Sequence, residues 1–201
     1  MRKISAGLFI SLDGVVEAPE QWHFPYFNEE MGAAVGAQIS AADTLLLGRD
    51  TYEGFAGAWP EREDAGEDDA AMAKQFGDMR KIVVSHQDLT FTWRNSELLK
   101  GDLAEAVTAL KNEPGGDIGM SGSISVVRQL LDAGLLDELH LLVHPVAVRN
   151  GMRLFDDAGS SLPLKVLKAE SFTTGVQYVV YGPDDSPPQG GYDEAIKASQ
   201  S

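Results

Sequence analysis

The first part of the chain alternates between apolar residues and residues of other kinds. Every second position from Ile4 to Leu12 is apolar, and the positions between are serine or glycine except for Phe9. A period of two is the pattern of a β-strand, so we predict a strand over residues 4–12. The Asp13-Gly14 dipeptide that follows predicts the turn that ends this strand.

Helical patterns follow at several places. Between Asp102 and Asn112 the apolar residues recur at spacings of three and four, which predicts an amphipathic helix. Asn28 and Ser123 are suitable N-cap residues, and they predict helices over 28–42 and from 123 to 134. Asp50 or Thr51 can cap a short helix in the same way.

Short apolar runs between these helices predict the remaining strands. Their positions are 44–47, 81–85, 89–93, 118–120 and 139–146. Residues 164–172 and 176–181 read as a hairpin around Thr174-Gly175. Helices and strands alternate over the first two thirds, which predicts an α/β domain. We expect a central, mostly parallel twisted sheet with an antiparallel C-terminal edge, flanked by helices.

Composition sets the domain organisation. The 201 residues are 43% hydrophobic, enough for one core, and we predict a single domain over 1–181. Residues 61–70 form an acidic stretch that predicts a surface loop insertion. Residues 182–201 are polar and rich in proline and glycine, which predicts a flexible tail.

Charge and cysteine content narrow the class of function. The net charge of -15 disfavours nucleic acid and anionic membranes as partners. The chain has no cysteine, which fits a cytoplasmic location. The short, interrupted apolar stretch at the N-terminus does not fit a signal peptide, and no run approaches the roughly 20 apolar residues of a membrane span.

Candidate chemistry lies where the predicted strands end, because ligands of open α/β sheets bind at the carboxyl ends of the strands. Segments 48–51 (GRDT) and 119–123 (GMSGS) are rich in glycine and hydroxyl groups. The Arg49 guanidinium beside the Thr51 hydroxyl is well suited to a phosphate, and a helix that starts at Ser123 attracts anions. Plain strand-to-helix turns, with Arg49 paired to a neighbouring acid, are the alternative.

Several segments together resemble a known family. In chain order they are SLDG (11–14), ADTLLLGRDTYE (42–53), KIVVS (81–85), GMSGSISVVRQLLDAGLLDELHLLVHPV (119–146) and RLF (153–155). From about residue 3 to residue 181 the chain resembles the dihydrofolate-reductase-like fold. It is most similar to the branch containing the reductase domain of the bacterial riboflavin-biosynthesis deaminase–reductase and its stand-alone relatives.

This resemblance implies an NADPH cofactor across the C-terminal edge of the sheet, a small-molecule substrate and a homodimer. The residues that would contact the cofactor are Gly48, Arg49, Thr51, Ser85, Gly119, Ser121, Gly122, Ser123 and Ile124. In the family, Arg49 corresponds to the arginine that faces the adenosine 2′-phosphate, and Thr51 to the threonine on a pyrophosphate oxygen. Ser85 corresponds to a residue near the adenosine.

The chain also departs from the folate enzymes. Their proton-donating aspartate on the first helix corresponds to Phe27 here, and Glu29 and Glu30 do not match it, so folate reduction is not expected. Asp13 is the candidate proton-relaying or substrate-orienting residue by resemblance, and a turn aspartate is the alternative. Trp22 and Phe27 are candidates for stacking on a flat substrate, although an apolar lid or a dimer contact explains such aromatic residues equally well.

Through this resemblance we predict an NADPH-dependent reductase that transfers a hydride to a C=N or C=O of a small heterocyclic or carbonyl substrate. Two alternatives stay open: a non-catalytic dinucleotide-binding or sensor protein, and a structural protein with a vestigial cleft. No metal site is predicted, because His140 and His144 share a strand face without a suitably spaced carboxylate.

Overall fold

The computed structural model describes residues 1–65, 70–156 and 161–184, and its centre is one sheet of 8 strands. The strands are β1 (Ile4–Ser11), β2 (Ala42–Gly48), β3 (Arg80–Val84), β4 (Ser96–Leu98), β5 (Asp117–Met120), β6 (Glu138–His144), β7 (Leu164–Ser171) and β8 (Gln177–Pro183). Their order is β4-β3-β2-β5-β1-β6-β8-β7. Neighbours from β4 to β6 pair in parallel, whereas β8 pairs antiparallel with β6 and β7. The predicted fold class is confirmed.

Five helices cover the two faces of the sheet within the described ranges: α1 (Glu29–Ala41), α2 (Arg49–Ala65), α3 (Ala70–Asp78), α4 (Leu103–Asn112) and α5 (Ile124–Asp132). The predicted cap of α1 is confirmed, since Asn28 Oδ1 accepts the Met31 backbone N–H at 3.0 Å. Asp102 caps α4 by accepting the N–H groups of Ala104 and Glu105. These bonds satisfy groups that have no partner inside the helix.

The alternation in the strands separates two apolar layers. Ile4 and Leu8 of β1 pack in one cluster with Val107 of α4 and Val127 of α5. On the opposite face, Leu45 and Leu47 of β2 pack with residues of α2 and α3. Residues of α1 pack there too, against β6 and β8. The helices thus cover the two faces of the sheet, and the carboxyl ends of the parallel strands lie together along one edge that the helices do not cover.

The prediction of an acidic loop over 61–70 is wrong for residues 61–65, which are helical. Helix α2 has 17 residues and continues to Ala65, whereas we expected a short helix. Its inner side packs on α3 through Trp59, whose ring lies 4.7 Å from that of Phe76. Glu63 forms two hydrogen bonds with Arg94, at 2.8 and 3.0 Å. Apolar packing and a cation from a distant segment therefore stabilise the acidic helix, while residues 66–69 lie outside the described residues.

The strand expected over 89–93 is also wrong. Here the backbone N–H groups of Thr92 and Trp93 donate to the Tyr52 hydroxyl at 3.1 and 3.2 Å, instead of to a neighbouring strand. The Trp93 ring is buried, with the Lys81 ammonium 4.2 Å from its centroid. The edge strand β4 forms slightly later, at Ser96–Leu98.

The hairpin at the end of the domain is confirmed by β7 and β8. Strand β8 extends to Pro183, so residues 182 and 183 of the expected tail belong to the sheet. Residues 185–201 lie outside the described residues. In the described ranges no helix is both long and apolar enough to cross a membrane.

Candidate functional site

A cavity of about 980 Å³ opens at the carboxyl edge of the parallel strands. Every residue that the resemblance assigned to the cofactor lines this cavity: Gly48, Arg49, Thr51, Ser85, Gly119, Ser121, Gly122, Ser123 and Ile124. They come from the ends of β2, β3 and β5 and from the starts of α2 and α5. The topology thus brings together segments that are far apart in the chain, and the cofactor itself stays a prediction.

Ser123 connects two of these segments. Its hydroxyl accepts the backbone N–H of Gly48 and donates to Thr51 Oγ1 at 2.8 Å. Ser123 was expected to cap α5 with its side chain, and this was wrong: the side chain makes no capping bond, and the backbone is left-handed with φ of 63°. The hydroxyl instead stabilises the junction of β2 and α2.

Two glycines make this junction possible. A Cβ at Gly48 would lie 2.8 Å from Ser123 Oγ, and Gly122 has φ of +100°, where a side chain is strained. The first N–H groups of a helix have no intrahelical partner, so the start of α5 offers donors beside the Thr51 hydroxyl. This arrangement fits the pyrophosphate of a dinucleotide.

Arg49 lies at the outer rim of the cavity. Its side chain is 40% exposed and pairs with Asp50, with Nη2 to Oδ1 at 2.9 Å, and also donates to Gln87 Oε1 at 2.9 Å. The pairing with Asp50 is the alternative that the sequence left open. An exposed ion pair contributes only about 0–1 kcal/mol, so an incoming phosphate can replace Asp50 at low cost.

Asp13 does not line the cavity. Its carboxylate accepts the hydroxyl of Ser11 at 2.7 Å and the backbone N–H groups of Val148 and Arg149 at 3.0 and 2.8 Å. The Ser11 hydrogen bond and these backbone donors hold the pKa of Asp13 below its ordinary value of 3.8. These contacts favour the structural alternative, in which Asp13 joins the end of β1 to the segment after β6.

The expected substrate contacts Trp22 and Phe27 do not line the cavity either, whereas their neighbours His23 and Phe24 do. The Trp22 indole N–H donates to the Glu17 carbonyl at 3.1 Å. The His23 ring lies between Phe9 and Phe24, with ring centroids 4.4 and 4.2 Å away. Two short 3-10 turns set these orientations, and neither has a periodicity that sequence patterns could reveal.

The cavity has an inner branch that the sequence analysis missed. It lies between α1, α2, α3 and the sheet, and its walls are largely apolar: Val35, Ile39, Phe55, Trp59, Met72 and Phe76. Gln38 is the polar side chain that α1 contributes to this branch. A signal for it existed, because Val35, Gln38 and Ile39 are three and four residues apart along α1, and positions at such spacings share one helical face.

Two histidines next to the cavity are buried without full hydrogen bonding. His144 Nδ1 donates to the Leu142 carbonyl at 2.7 Å, while His144 Nε2 and His23 Nδ1 have no hydrogen-bond partner among the described residues. Burial lowers the pKa of both rings below the ordinary 6.5. Among the described residues no three potential metal ligands come together.

These histidines predict a pH-dependent stability. Because the folded pKa values are depressed, the unfolded chain binds more protons just below pH 6.5, and the stabilisation present above pH 6.5 is lost as the pH falls. Urea titrations between about pH 5 and 6.5 measure the free energy of unfolding. We expect it to fall as the pH is lowered, by up to roughly 1.4 kcal/mol per pH unit for each histidine. His144→Leu should reduce this slope. Equal slopes in the wild type and the variant would contradict the prediction.

The sheet order, the antiparallel edge and the cleft at the carboxyl ends of the strands define a dihydrofolate-reductase-like domain. Two solved structures share this fold. One is a putative riboflavin biosynthesis protein from Shewanella sp. PV-4, with a TM-score of 0.68, 20% identity, and coverage of 92% of this chain and 99% of that one. The other is a pyrimidine reductase-like protein from Corynebacterium diphtheriae, with a TM-score of 0.63, 16% identity, and coverage of 92% and 93%.

The chain belongs to the RibD C-terminal domain family, which it matches over residues 2–178. Two uncharacterized proteins of Bacillus subtilis are similar over nearly their whole length. YyaP is 27% identical over 187 residues, covering 90% of this chain and 94% of YyaP. YwjB is 26% identical over 185 residues, covering 88% and 95%. The family is one of reductases, which supports a reductase-type function for this chain.

Proposed function

We propose that the protein is an NADPH-dependent reductase that transfers a hydride to a C=N or C=O of a small heterocyclic or carbonyl compound. One observation carries the proposal: every residue that the family resemblance assigned to the cofactor lines the same cavity, which continues into an apolar branch. The volume of about 980 Å³ is at the upper end for ligand sites, as two adjacent ligands require.

The residues at the rim fit NADPH. Arg49 supplies the cation for the 2′-phosphate, and the Thr51 hydroxyl with the start of α5 supplies donors for the pyrophosphate. Gly48 and Gly122 keep the backbone free of side chains at this point. The cofactor supplies the hydride. The protein orients the two ligands, and the aromatic walls of the inner branch exclude water from them.

The reaction also needs a proton, and we propose that it comes from solvent. Because its pKa is lowered, Asp13 is ionised throughout the neutral range and holds no proton to donate. We expect Asp13→Asn to leave the pH profile of kcat unchanged while lowering the thermal midpoint, because the amide makes weaker bonds with the Val148 and Arg149 N–H groups. A pH-dependent loss of turnover at an unchanged thermal midpoint would instead place Asp13 in the chemistry.

The proposal is tested by titrating the protein with NADPH and NADH in a calorimeter. Nucleotide oxidation is then followed by absorbance with a panel of carbonyl, pterin and pyrimidine compounds. Tight NADPH binding with turnover supports the reductase. Binding without turnover across the panel supports the alternative of a non-catalytic sensor. Absence of binding by either nucleotide contradicts both the reductase and the sensor, and it supports the remaining alternative of a structural protein with a vestigial cleft.

The cytoplasmic location and the homodimer stay predictions from the sequence. Size-exclusion chromatography with light scattering tests the dimer directly.

A further inference from the structure

A polar chain runs from the protein surface to the inner branch of the cavity. Lys3 Nζ donates to Glu138 at 2.8 Å, and the other oxygen of Glu138 lies 3.1 Å from His140 Nε2. His140 Nδ1 lies 2.7 Å from the Tyr178 hydroxyl, and Gln38 Nε2 donates to that hydroxyl at 3.4 Å. These hydrogen bonds therefore link an exposed ion pair, between the residue before β1 and the first residue of β6, to the glutamine of α1.

The donor and the acceptor of each of these hydrogen bonds can be assigned in turn, starting from Glu138. The Lys3 ammonium holds the pKa of Glu138 below its ordinary value, so Glu138 is a carboxylate and only accepts. Burial lowers the pKa of His140, so its ring is neutral and carries its proton on Nε2, facing Glu138. His140 Nδ1 must then accept, and the Tyr178 hydroxyl uses its single proton to donate to it.

This assignment determines the orientation of the Gln38 amide. The Tyr178 hydroxyl has only acceptor capacity left, so the NH₂ group of Gln38 must face it. The Gln38 carbonyl oxygen therefore points the other way, over β1 at Gly7, where a Cβ would overlap it. Gly7 and Gln38 both line the cavity. Among the hydrogen bonds of the described residues, none is donated to Gln38 Oε1.

We propose that Gln38 recognises the substrate by presenting this carbonyl oxygen to an N–H donor. The class of substrate that fits is a flat heterocycle with a ring N–H, of the lactam or cyclic amine kind, beside the reducible C=N or C=O. Tyr178 and His140 are positioning residues that keep the amide in this orientation. This inference rests on the proposed reductase function.

Discrimination follows from the apolar surroundings of the acceptor. A substrate that fills the inner branch without a donor leaves the Gln38 carbonyl buried and without a partner, which costs more than a missing contact in water. We expect a substrate with the N–H to bind about 10- to 100-fold more tightly than the same compound without it.

A matched pair of probes tests the proposal: quinoxalin-2(1H)-one, a lactam whose ring N–H and C=N bond lie in the same ring on either side of the carbonyl, and its N1-methyl derivative. Dissociation constants are measured by calorimetry with NADP⁺ present, so that no hydride is transferred. We expect the wild type to prefer the N–H compound and Gln38→Leu to lose that preference. A preference that persists in Gln38→Leu reflects the size of the methyl group and overturns the proposal, as does failure of the wild type to bind the N–H compound.

The positioning residues have their own readout. Tyr178→Phe lets the Gln38 amide rotate, so the preference should fall several-fold even if the folded protein is only slightly less stable. A purely structural role for Tyr178 would lower the thermal midpoint and leave the preference unchanged. Gln75→Leu is the matched control, because Gln75 also contacts α1, through the Ile39 carbonyl at 3.2 Å, but does not line the cavity.

Failure of this inference is distinguishable from failure of the proposed function. NADPH titrations on the same samples report the cofactor site, which Gln38→Leu leaves intact. Normal NADPH binding without any N–H preference overturns the role of Gln38 alone. Loss of NADPH binding in the wild type overturns the reductase itself.

Discussion

Arg49→Ala is expected to weaken NADPH binding by about 1.5–3 kcal/mol, roughly 10- to 150-fold, and to leave NADH binding almost unchanged. The two nucleotides differ only in the 2′-phosphate, and a guanidinium–phosphate pair is a charge-assisted hydrogen bond. A protein with a net charge of -15 repels such a ligand overall, so the local cation at the rim has a large share in its binding. The exposed Arg49 side chain makes only surface pairs, so the fold should tolerate the change.

The measurement is a calorimetric titration of wild type and variant with both nucleotides at low and moderate salt. The loss for NADPH should shrink as salt rises, because exposed charges are screened. Lys74→Ala is the control, since Lys74 is a surface cation on α3 that pairs with Asp78 and does not line the cavity. An equal loss for NADPH and NADH, or none for either, would place the 2′-phosphate away from Arg49.

Leu46→Ala is expected to lower the free energy of unfolding by about 3–5 kcal/mol. Leu46 is fully buried on β2, which lies between β3 and β5, and it belongs to the same apolar cluster as Ile82 and Ile118. Neighbouring strands of a hydrogen-bonded sheet cannot collapse into the space left by the lost side chain. Removing its methyl groups therefore loses their transfer free energy and also leaves a cavity, and both effects destabilise the fold.

Urea unfolding followed by circular dichroism measures this loss. The matched control is Leu167→Ala on the edge strand β7, where the residue is 49% exposed, and there we expect a loss below about 1 kcal/mol. Similar losses at both leucines would mean that β2 is not the buried centre of the sheet.

Part of the candidate site could be predicted from the sequence. The glycines and hydroxyl residues of segments 48–51 and 119–123 identified two strand ends as ligand sites, and family resemblance added Ser85. The structure brings all three segments to one cavity. The hydrogen bonds of Ser123 to Gly48 and Thr51 could not be predicted, because they join residues more than 70 positions apart. Asp13 was recognised as a turn residue, yet only its contacts with Val148 and Arg149 favour a structural role over a chemical one.

The sequence by itself determined the α/β class, the mostly parallel sheet with its antiparallel edge, the cap of α1 and the amphipathic helix α4. These features depend on periodicity and on side chains that bond to backbone a few residues away, so the information is local. Only the tertiary structure decided the course of residues 61–65 and 89–93 and the orientation of Gln38. In each case the deciding partner is distant in the chain: Arg94, Tyr52 and Tyr178. The conformation expected from local sequence patterns is not adopted where a distant residue forms hydrogen bonds that stabilise another conformation.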